Sequence, residues 1–154
     1  LEFRRVLFRS IDRATEWAIV LTRAGLHPIV HTARGPDDFA ITMGVEAMAR
    51  AGVDASTGNG RIGTALGTIL DRTLRATGVR RAIISGGDTS GAAARLLGIH
   101  ALEALAPTIP GAALCRAHAD DPTYAGLQVA LKGGQMGSPD YFGWIRDGGG
   151  DAPR

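Results

Sequence analysis

RRAIISGGDTSGAAARLLG, residues 80–98, is the stretch that decides the fold. Its apolar run, Ala82–Ile84, is rich in β-branched residues and ends close to a glycine pair, which predicts a short buried strand. Asp88, Thr89 and Ser90 are residue types that cap helices, and the alanines and leucines after them recur at helical spacing. The stretch therefore predicts a strand, a glycine turn and a helix that one of these three residues caps.

A turn of this kind favours an anion site, because it directs free backbone N–H groups and the positive end of a helix dipole at one point. Gly86 and Gly87 permit close approach of the backbone to a phosphate. The hydroxyls of Thr89 and Ser90 can donate to phosphate oxygens or bind a metal. An ordinary capped helix after a tight turn explains the same residues, so the stretch alone leaves both interpretations open.

Composition indicates the fold class. The chain has 154 residues, which suits one domain, and 22 of them are glycine, about twice the usual share. The glycines cluster between apolar segments, which predicts an α/β fold, a mixed sheet flanked by helices in a single domain. No apolar run is long enough to span a bilayer, so no membrane partner is expected.

Charge is concentrated at the start of the chain. Residues 1–10 hold the whole net charge of +2, and the remaining residues balance 14 basic against 14 acidic side chains. The balanced body excludes a general attraction to nucleic acid. We expect residues 1–10 to be a non-native leader, 11–148 to be the functional domain and 149–154 to be a frayed tail.

Cys115 is the only cysteine, which excludes an intrachain disulfide and favours a cytoplasmic protein. Cys115 and His118 are too few for a zinc site and are expected to be structural, as are the other histidines, His27, His31 and His100. Periodicity predicts helices at 11–24, 39–51, 61–76 and 139–145, and strands at 28–30, 82–84, 101–106, 112–117 and 127–132. In the last helix, three aromatic side chains are expected to pack inward: Tyr141, Phe142 and Trp144.

Gly58–Gly63 matches the pattern G-x-G-x-x-G, which in dinucleotide-binding proteins follows a strand directly. The residues before it are small and polar, so NAD binding is the weaker interpretation. The other is a loop over 52–59 that enters the helix at Arg61.

Leu131–Gly137, with the sequence LKGGQMG, is a second glycine loop after an apolar run. Lys132 is the only lysine in the chain, against sixteen arginines. A lysine ammonium is a compact point charge that suits phosphate, although an ordinary surface lysine is the alternative. The P-loop pattern is absent, so a nucleotide site here would be of another kind.

Four segments together resemble the four-carbon acid sugar kinase family, in its C-terminal nucleotide-binding domain. They are Ser85–Gly91 (SGGDTSG), Pro110-Gly111, Leu131–Gly137 (LKGGQMG) and Asp140–Gly143 (DYFG). The resemblance implies an ATP-dependent kinase of the threonate, erythronate or 3-oxo-tetronate type. It also implies that a separate N-terminal domain binds the sugar acid, and this chain shows no such domain.

The resemblance further implies where ATP or ADP and Mg²⁺ bind. The expected nucleotide ligands are Gly86, Gly87, Asp88, Thr89, Ser90, Lys132, Gly133, Gly134, Gln135 and Gly137. Asp88 is the expected carboxylate near Mg²⁺, or else a plain N-cap. The general base is expected in the absent domain, so no catalytic residue is assigned and the chain alone is expected to be inactive. A non-catalytic nucleotide-binding module is the alternative function.

Overall fold

The computed structural model describes residues 2–150, with side chains from residue 10 onwards. The chain divides into two compact units, Leu1–Thr77 and Gly78–Arg154. Within the predicted tail, the Gly149 N–H donates to the Trp144 carbonyl at 3.0 Å and the Gly150 N–H to the Pro107 carbonyl at 2.9 Å. The rest of that tail, 151–154, lies outside the described residues.

The first unit is helical, with α1 (Glu2–Arg23), α2 (Phe39–Arg50) and α3 (Ala55–Thr77). Its core forms between α1 and α3, where Ile11, Ala18, Ile69 and Leu74 are buried. The predicted strand at 28–30 is wrong. That segment has no regular secondary structure, because the described residues of this unit form no strand with which its backbone could pair.

The start of α3 corrects two sequence interpretations. The helix begins at Ala55 rather than Arg61, because the Asp54 carboxylate accepts from the Thr57 amide at 2.9 Å and caps the first turn. Gly58–Gly63 therefore lies inside a helix, so the expected loop ends at Asp54 rather than at Asn59, and the dinucleotide interpretation is wrong. Gly58 serves packing instead, since a Cβ there would lie 1.9 Å from the Met48 sulfur of α2.

The second unit contains a four-stranded sheet. Its elements are β1 (Arg81–Ser85), α4 (Gly87–Leu96), β2 (Ile99–Pro107), β3 (Ala113–Ala119), β4 (Gln128–Lys132) and α5 (Tyr141–Arg146). The strand order is β1-β4-β3-β2, with β1 and β4 parallel and the other pairs antiparallel. The predicted α/β class with a mixed sheet flanked by helices is confirmed. No helix within residues 2–150 combines the length and the apolar character that crossing a membrane requires.

The core of this unit includes Leu114, Ala130, Tyr141 and Ile145, so α5 packs its apolar side against the sheet. Phe142 is 39% exposed, and the expectation that it packs inward is wrong. Successive residues of a helix point about 100° apart around its axis. Because Tyr141 points into the core, Phe142 points away from it. The Tyr141 side chain thereby lies beneath the second glycine loop.

Candidate nucleotide-binding site

Two glycine loops meet at one edge of the sheet. Because β1 and β4 run parallel, their last residues, Ser85 and Lys132, are paired across the ladder. The Gly86 N–H donates to the Lys132 carbonyl at 2.9 Å, which continues the pairing into the loops. A Cβ on Gly134 would lie 3.9 Å from the Gly86 Cα. The structure thus joins the two stretches that the sequence singled out separately, at the carboxyl ends of parallel strands, where α/β proteins commonly bind ligands.

The first loop is a sharp strand-to-helix turn at Gly86. Gly86 has φ +112°, is the N-cap of α4 and offers no side chain to the helix. The prediction that Asp88, Thr89 or Ser90 caps the helix is therefore wrong: these residues lie in its first turn. Only glycine adopts this backbone conformation without strain. The chain can therefore turn sharply at Gly86, and the helix begins at Gly87, before the residues whose types favour an N-cap.

The first turn of α4 offers backbone donors. The N–H groups of Gly87, Asp88 and Thr89 precede the first intrahelical bond, which Ser90 N–H makes to the Gly86 carbonyl at 2.7 Å. Gly87 and Asp88 are exposed, and a Cβ at Gly87 would meet nothing within 4 Å. Donors that precede the intrahelical bonds and the positive end of a helix dipole therefore lie at an exposed turn.

The hydroxyl residues of this turn are placed differently. Ser90 is buried, and its Oγ donates to the Ile84 carbonyl at 3.2 Å, which ties α4 to β1. Thr89 is half-buried beside Gly86, whose added Cβ would lie 3.3 Å from Thr89 Oγ1. Thr89 thus lies at the turn itself, whereas the Ser90 hydroxyl is already bonded to the strand below.

Lys132 is buried, with only 9% of its surface exposed, so the ordinary surface lysine is excluded. Its Nζ donates to three carbonyls of the loop that follows: Gly133 at 2.9 Å, Gly134 at 3.4 Å and Met136 at 2.6 Å. The ammonium is therefore enclosed by its own loop, a contact that sequence spacing does not predict.

The second loop, Gly133–Gly137, is exposed from Gly134 onwards. Gly137 has φ +121°, and a Cβ there would lie 3.5 Å from Tyr141 Cβ and 3.7 Å from Lys132 Cε. Gly133 packs beneath Met136, whose sulfur would lie 3.3 Å from an added Cβ. Gly137 is required by its positive φ, Gly133 lies in close contact with Met136, and Gly134 and Gln135 are exposed.

Tyr141 is the residue of this site that the sequence reasoning missed, since it was expected only to fill the core. Its ring centroid lies 5.7 Å from Lys132 Nζ, a cation–π contact. Burial raises the pKa of Tyr141, and the Thr108 hydroxyl opposes that shift. Asp140–Gly143 is one of the segments that carry the family resemblance, but only the fold brings the Tyr141 ring to the lysine.

The remaining candidate residues lie apart from these loops. Cys115 is half-buried on β3, where burial raises the pKa of its thiol. His118 on the same strand lies 3.5 Å from Glu103 of β2, with both side chains half exposed. Within residues 2–150, no three His, Cys, Asp or Glu side chains cluster closely enough to hold a metal ion.

Comparison with known proteins identifies the family. Residues 5–142 match the model of the family described as the nucleotide-binding C-terminal domain. The chain is 42% identical over 140 residues to the 3-oxo-isoapionate kinase of Paraburkholderia graminis, covering 90% of this chain and 30% of the relative. It is 31% identical over 128 residues to the 3-oxo-tetronate kinase of Pseudomonas savastanoi pv. phaseolicola, covering 82% of this chain and 27% of the relative.

A solved structure supports the fold. The crystal structure of a Haemophilus influenzae protein of the DUF1537 family superposes with a TM-score of 0.69 at 20% identity, over 90% of this chain and 30% of that one. The chain thus spans less than a third of the length of each relative described. From the family match, the identity to curated kinases and the motifs at the two loops, this chain belongs to the nucleotide-binding C-terminal domain family of the four-carbon acid sugar kinases.

Proposed function

We propose that this chain binds ATP together with Mg²⁺, as the nucleotide-binding part of a kinase that phosphorylates four-carbon sugar acids. The observation that carries the proposal is the meeting of the two glycine loops at the carboxyl ends of β1 and β4. One loop offers the N-terminal N–H groups of a helix, and the other contains the only lysine of the chain. Both features favour a polyphosphate.

In this proposal the phosphates lie between the two loops. The residues proposed to form the nucleotide site are Gly86, Gly87, Asp88, Thr89 and Ser90 from the first loop and Lys132, Gly133, Gly134, Gln135 and Gly137 from the second. Most of them act through backbone N–H groups. The Thr89 hydroxyl adds a side-chain donor at the turn, while Ser90 contributes by fixing α4 on β1 through its bond to Ile84. Lys132 takes part through the second loop, because its ammonium donates to the carbonyls of Gly133, Gly134 and Met136.

The residues present fit a magnesium ion that the nucleotide brings with it. Mg²⁺ in phosphoryl-transfer sites takes one or two carboxylates, phosphate oxygens and waters rather than an all-protein cage. Asp88 is an exposed carboxylate in the first turn of α4, beside the free N–H groups. A bound Mg²⁺ would neutralise phosphate charge, and Asp88 would hold it directly or through water.

The kinase assignment rests on the relatives, whose names state that they phosphorylate 3-oxo-isoapionate or 3-oxo-tetronate. Phosphoryl transfer needs a positioned acceptor as well as the nucleotide. We assign the sugar-acid site and the general base to a further domain and name no catalytic residue here. A cytoplasmic location follows from the same proposal, because ATP-dependent metabolism and a single free thiol both fit that compartment.

Calorimetric titration tests the proposal with ATP, ADP, AMP and NAD in the presence of Mg²⁺. We expect ATP and ADP to bind, AMP to bind less tightly and NAD not to bind. Thr89→Val should lower the affinity for ATP about tenfold, because the site loses one hydroxyl donor to a charged phosphate. Thr64→Val is the matched control, because Thr64 lies on α3 and its hydroxyl donates to the Gly60 carbonyl. A folded wild-type protein that binds no adenine nucleotide would refute the proposed function.

A further inference from the structure

We propose that Lys132 is a positioning residue, which holds the second glycine loop in the shape that presents its N–H groups to phosphate. The inference rests on the proposed function for the identity of the ligand, but its structural part stands on the burial and hydrogen bonds of Lys132 itself. A direct phosphate ligand would extend its ammonium into open space. Lys132 instead is nine-tenths buried and bonds inward.

The ammonium is fully used by the loop. A lysine ammonium has three donors and no acceptor, and here it meets the carbonyls of Gly133, Gly134 and Met136. Tyr141, which is 1% exposed, closes the site with its ring. A charge taken this far from water is tolerated only when its donors are paired, so the loop and the ammonium depend on each other.

Peptide geometry predicts where the N–H groups of the second loop point when its carbonyls accept from Lys132 Nζ. In a trans peptide unit the carbonyl and the following N–H point in opposite directions, and the described residues contain no cis peptide. Turning the carbonyls of Gly133, Gly134 and Met136 toward Nζ therefore turns the N–H groups of Gly134, Gln135 and Gly137 away from it. Those three residues are exposed. They are the same loop amides that the proposed function assigns to the phosphates.

The adjoining glycines pack close to the lysine side chain and to its loop. A Cβ on Gly137 would lie within 3.7 Å of Lys132 Cε, and Gly133 lies directly under Met136. The Lys132 carbonyl also accepts from the Gly86 N–H at 2.9 Å, so the position of the lysine backbone sets the distance between the loops. The side chain of Lys132 thus holds the second glycine loop, and its backbone links that loop to the first one.

The single lysine makes a direct test possible in the wild-type protein. Lysine labelled with ¹⁵N at Nζ gives one side-chain signal, because the chain has no other lysine. Without nucleotide, we expect ammonium protons that exchange slowly with water, since all three are bonded in a buried site. Exchange as fast as that of free lysine would overturn the inference, and this result needs no variant to fold.

Variants then separate positioning from direct contact. In nucleotide-free Lys132→Ala we expect backbone order parameters at Gly133–Gly137 to fall from about 0.85 to below about 0.6. ATP affinity should fall at least about tenfold. Propylammonium should restore both the backbone order parameters and the ATP affinity, because its ammonium can take the place of Nζ among the loop carbonyls. Propanol, which lacks the charge, should restore neither. Lys132→Met, which keeps the apolar stem, is the second variant if Lys132→Ala does not fold. Arg13→Gln is the charge control, because Arg13 is an exposed residue of α1.

The outcomes distinguish the two proposals. Lost ATP affinity with unchanged order parameters and no rescue would make Lys132 a direct phosphate ligand, which refutes the inference and leaves the proposed function intact. Failure of the wild-type protein to bind nucleotide refutes the proposed function. In that case the ammonium exchange and the loop order still decide whether Lys132 holds the loop.

Discussion

At the residue scale, two adjacent glycines of the first loop have different physical requirements. Gly86 has φ +112°, a conformation that other residues adopt only with strain, and a Cβ added there would lie 3.3 Å from Thr89 Oγ1. Gly87 is the first residue of α4 and has open space where a side chain would start. The fold requires glycine at position 86. Glycine at position 87 is required only if a ligand such as phosphate approaches the first turn of α4 from solvent.

Alanine at each position should therefore separate stability from binding. Gly86→Ala should lower the free energy of unfolding by about 1–3 kcal/mol, the usual cost of a forced backbone conformation. Gly87→Ala should leave stability equal or up to about 1 kcal/mol higher, because alanine favours a helix over glycine. Gly87→Ala should nevertheless lower the affinity for ATP, because the added methyl group occupies the space proposed for phosphate.

Urea denaturation and calorimetry on both variants check this pair. Gly44→Ala is the matched control, because Gly44 lies within α2 and an added Cβ there also meets nothing. Normal ATP binding by Gly87→Ala would place the phosphates elsewhere.

At the element scale, the start of α3 depends on one carboxylate. The Asp54 side chain accepts from the Thr57 amide at 2.9 Å and from the Thr57 hydroxyl at 2.6 Å. The Thr57 hydroxyl, followed by the amide, holds the pKa of Asp54 below its usual value. A depressed pKa stabilises the folded state above the unfolded pKa of about 3.9, and the effect is lost as pH falls through the folded value.

Asp54→Ala should therefore lower the melting temperature at neutral pH, because the first turn of α3 loses its cap. The difference from wild type should shrink as the pH is lowered below about 4, since the wild-type carboxylate is then protonated as well. Calorimetric melting over a series of pH values measures this. Asp37→Ala, at an exposed loop position, serves as the control. A difference that stays constant down to the acid limit would show that the charge of Asp54 is not what stabilises the helix.

At the scale of the whole molecule, binding and catalysis should separate. Positioning two reactants supplies about 7–11 kcal/mol of a barrier, and in the proposed function this chain positions the nucleotide while a further domain positions the acceptor. We expect the purified chain to bind ATP but not to phosphorylate threonate or erythronate. A chimera in which it replaces the matching segment of the Paraburkholderia graminis relative should phosphorylate that kinase's acceptor, because 42% identity over 140 residues preserves the fold.

Product formation in a coupled ADP assay, followed by mass spectrometry, measures this activity. The chimera with Gly87→Ala should be impaired, which ties activity to the loop. Phosphorylation by the purified chain alone would contradict the division between nucleotide and acceptor sites. A folded chimera that binds ATP without activity would favour a regulatory nucleotide-binding module.

The sequence by itself determined the element that organises the second unit. A β-branched run, a glycine pair and an alanine-rich segment predicted β1 and α4, because local periodicity and glycine chemistry act over a few residues. The same local signals located both glycine loops and supported the family resemblance. They failed at Gly58–Gly63, where a loop pattern lies inside α3, because packing against Met48 rather than backbone freedom requires that glycine.

Only the tertiary structure decided how the site is assembled. Parallel pairing of β1 with β4 is a contact between residues more than forty positions apart, and no local signal sets its register. That pairing joins the two loops, buries Lys132 beside Tyr141 and turns the ammonium toward its own loop. Sequence could identify a lysine before two glycines, but burial and hydrogen bonding determined which way its charge points.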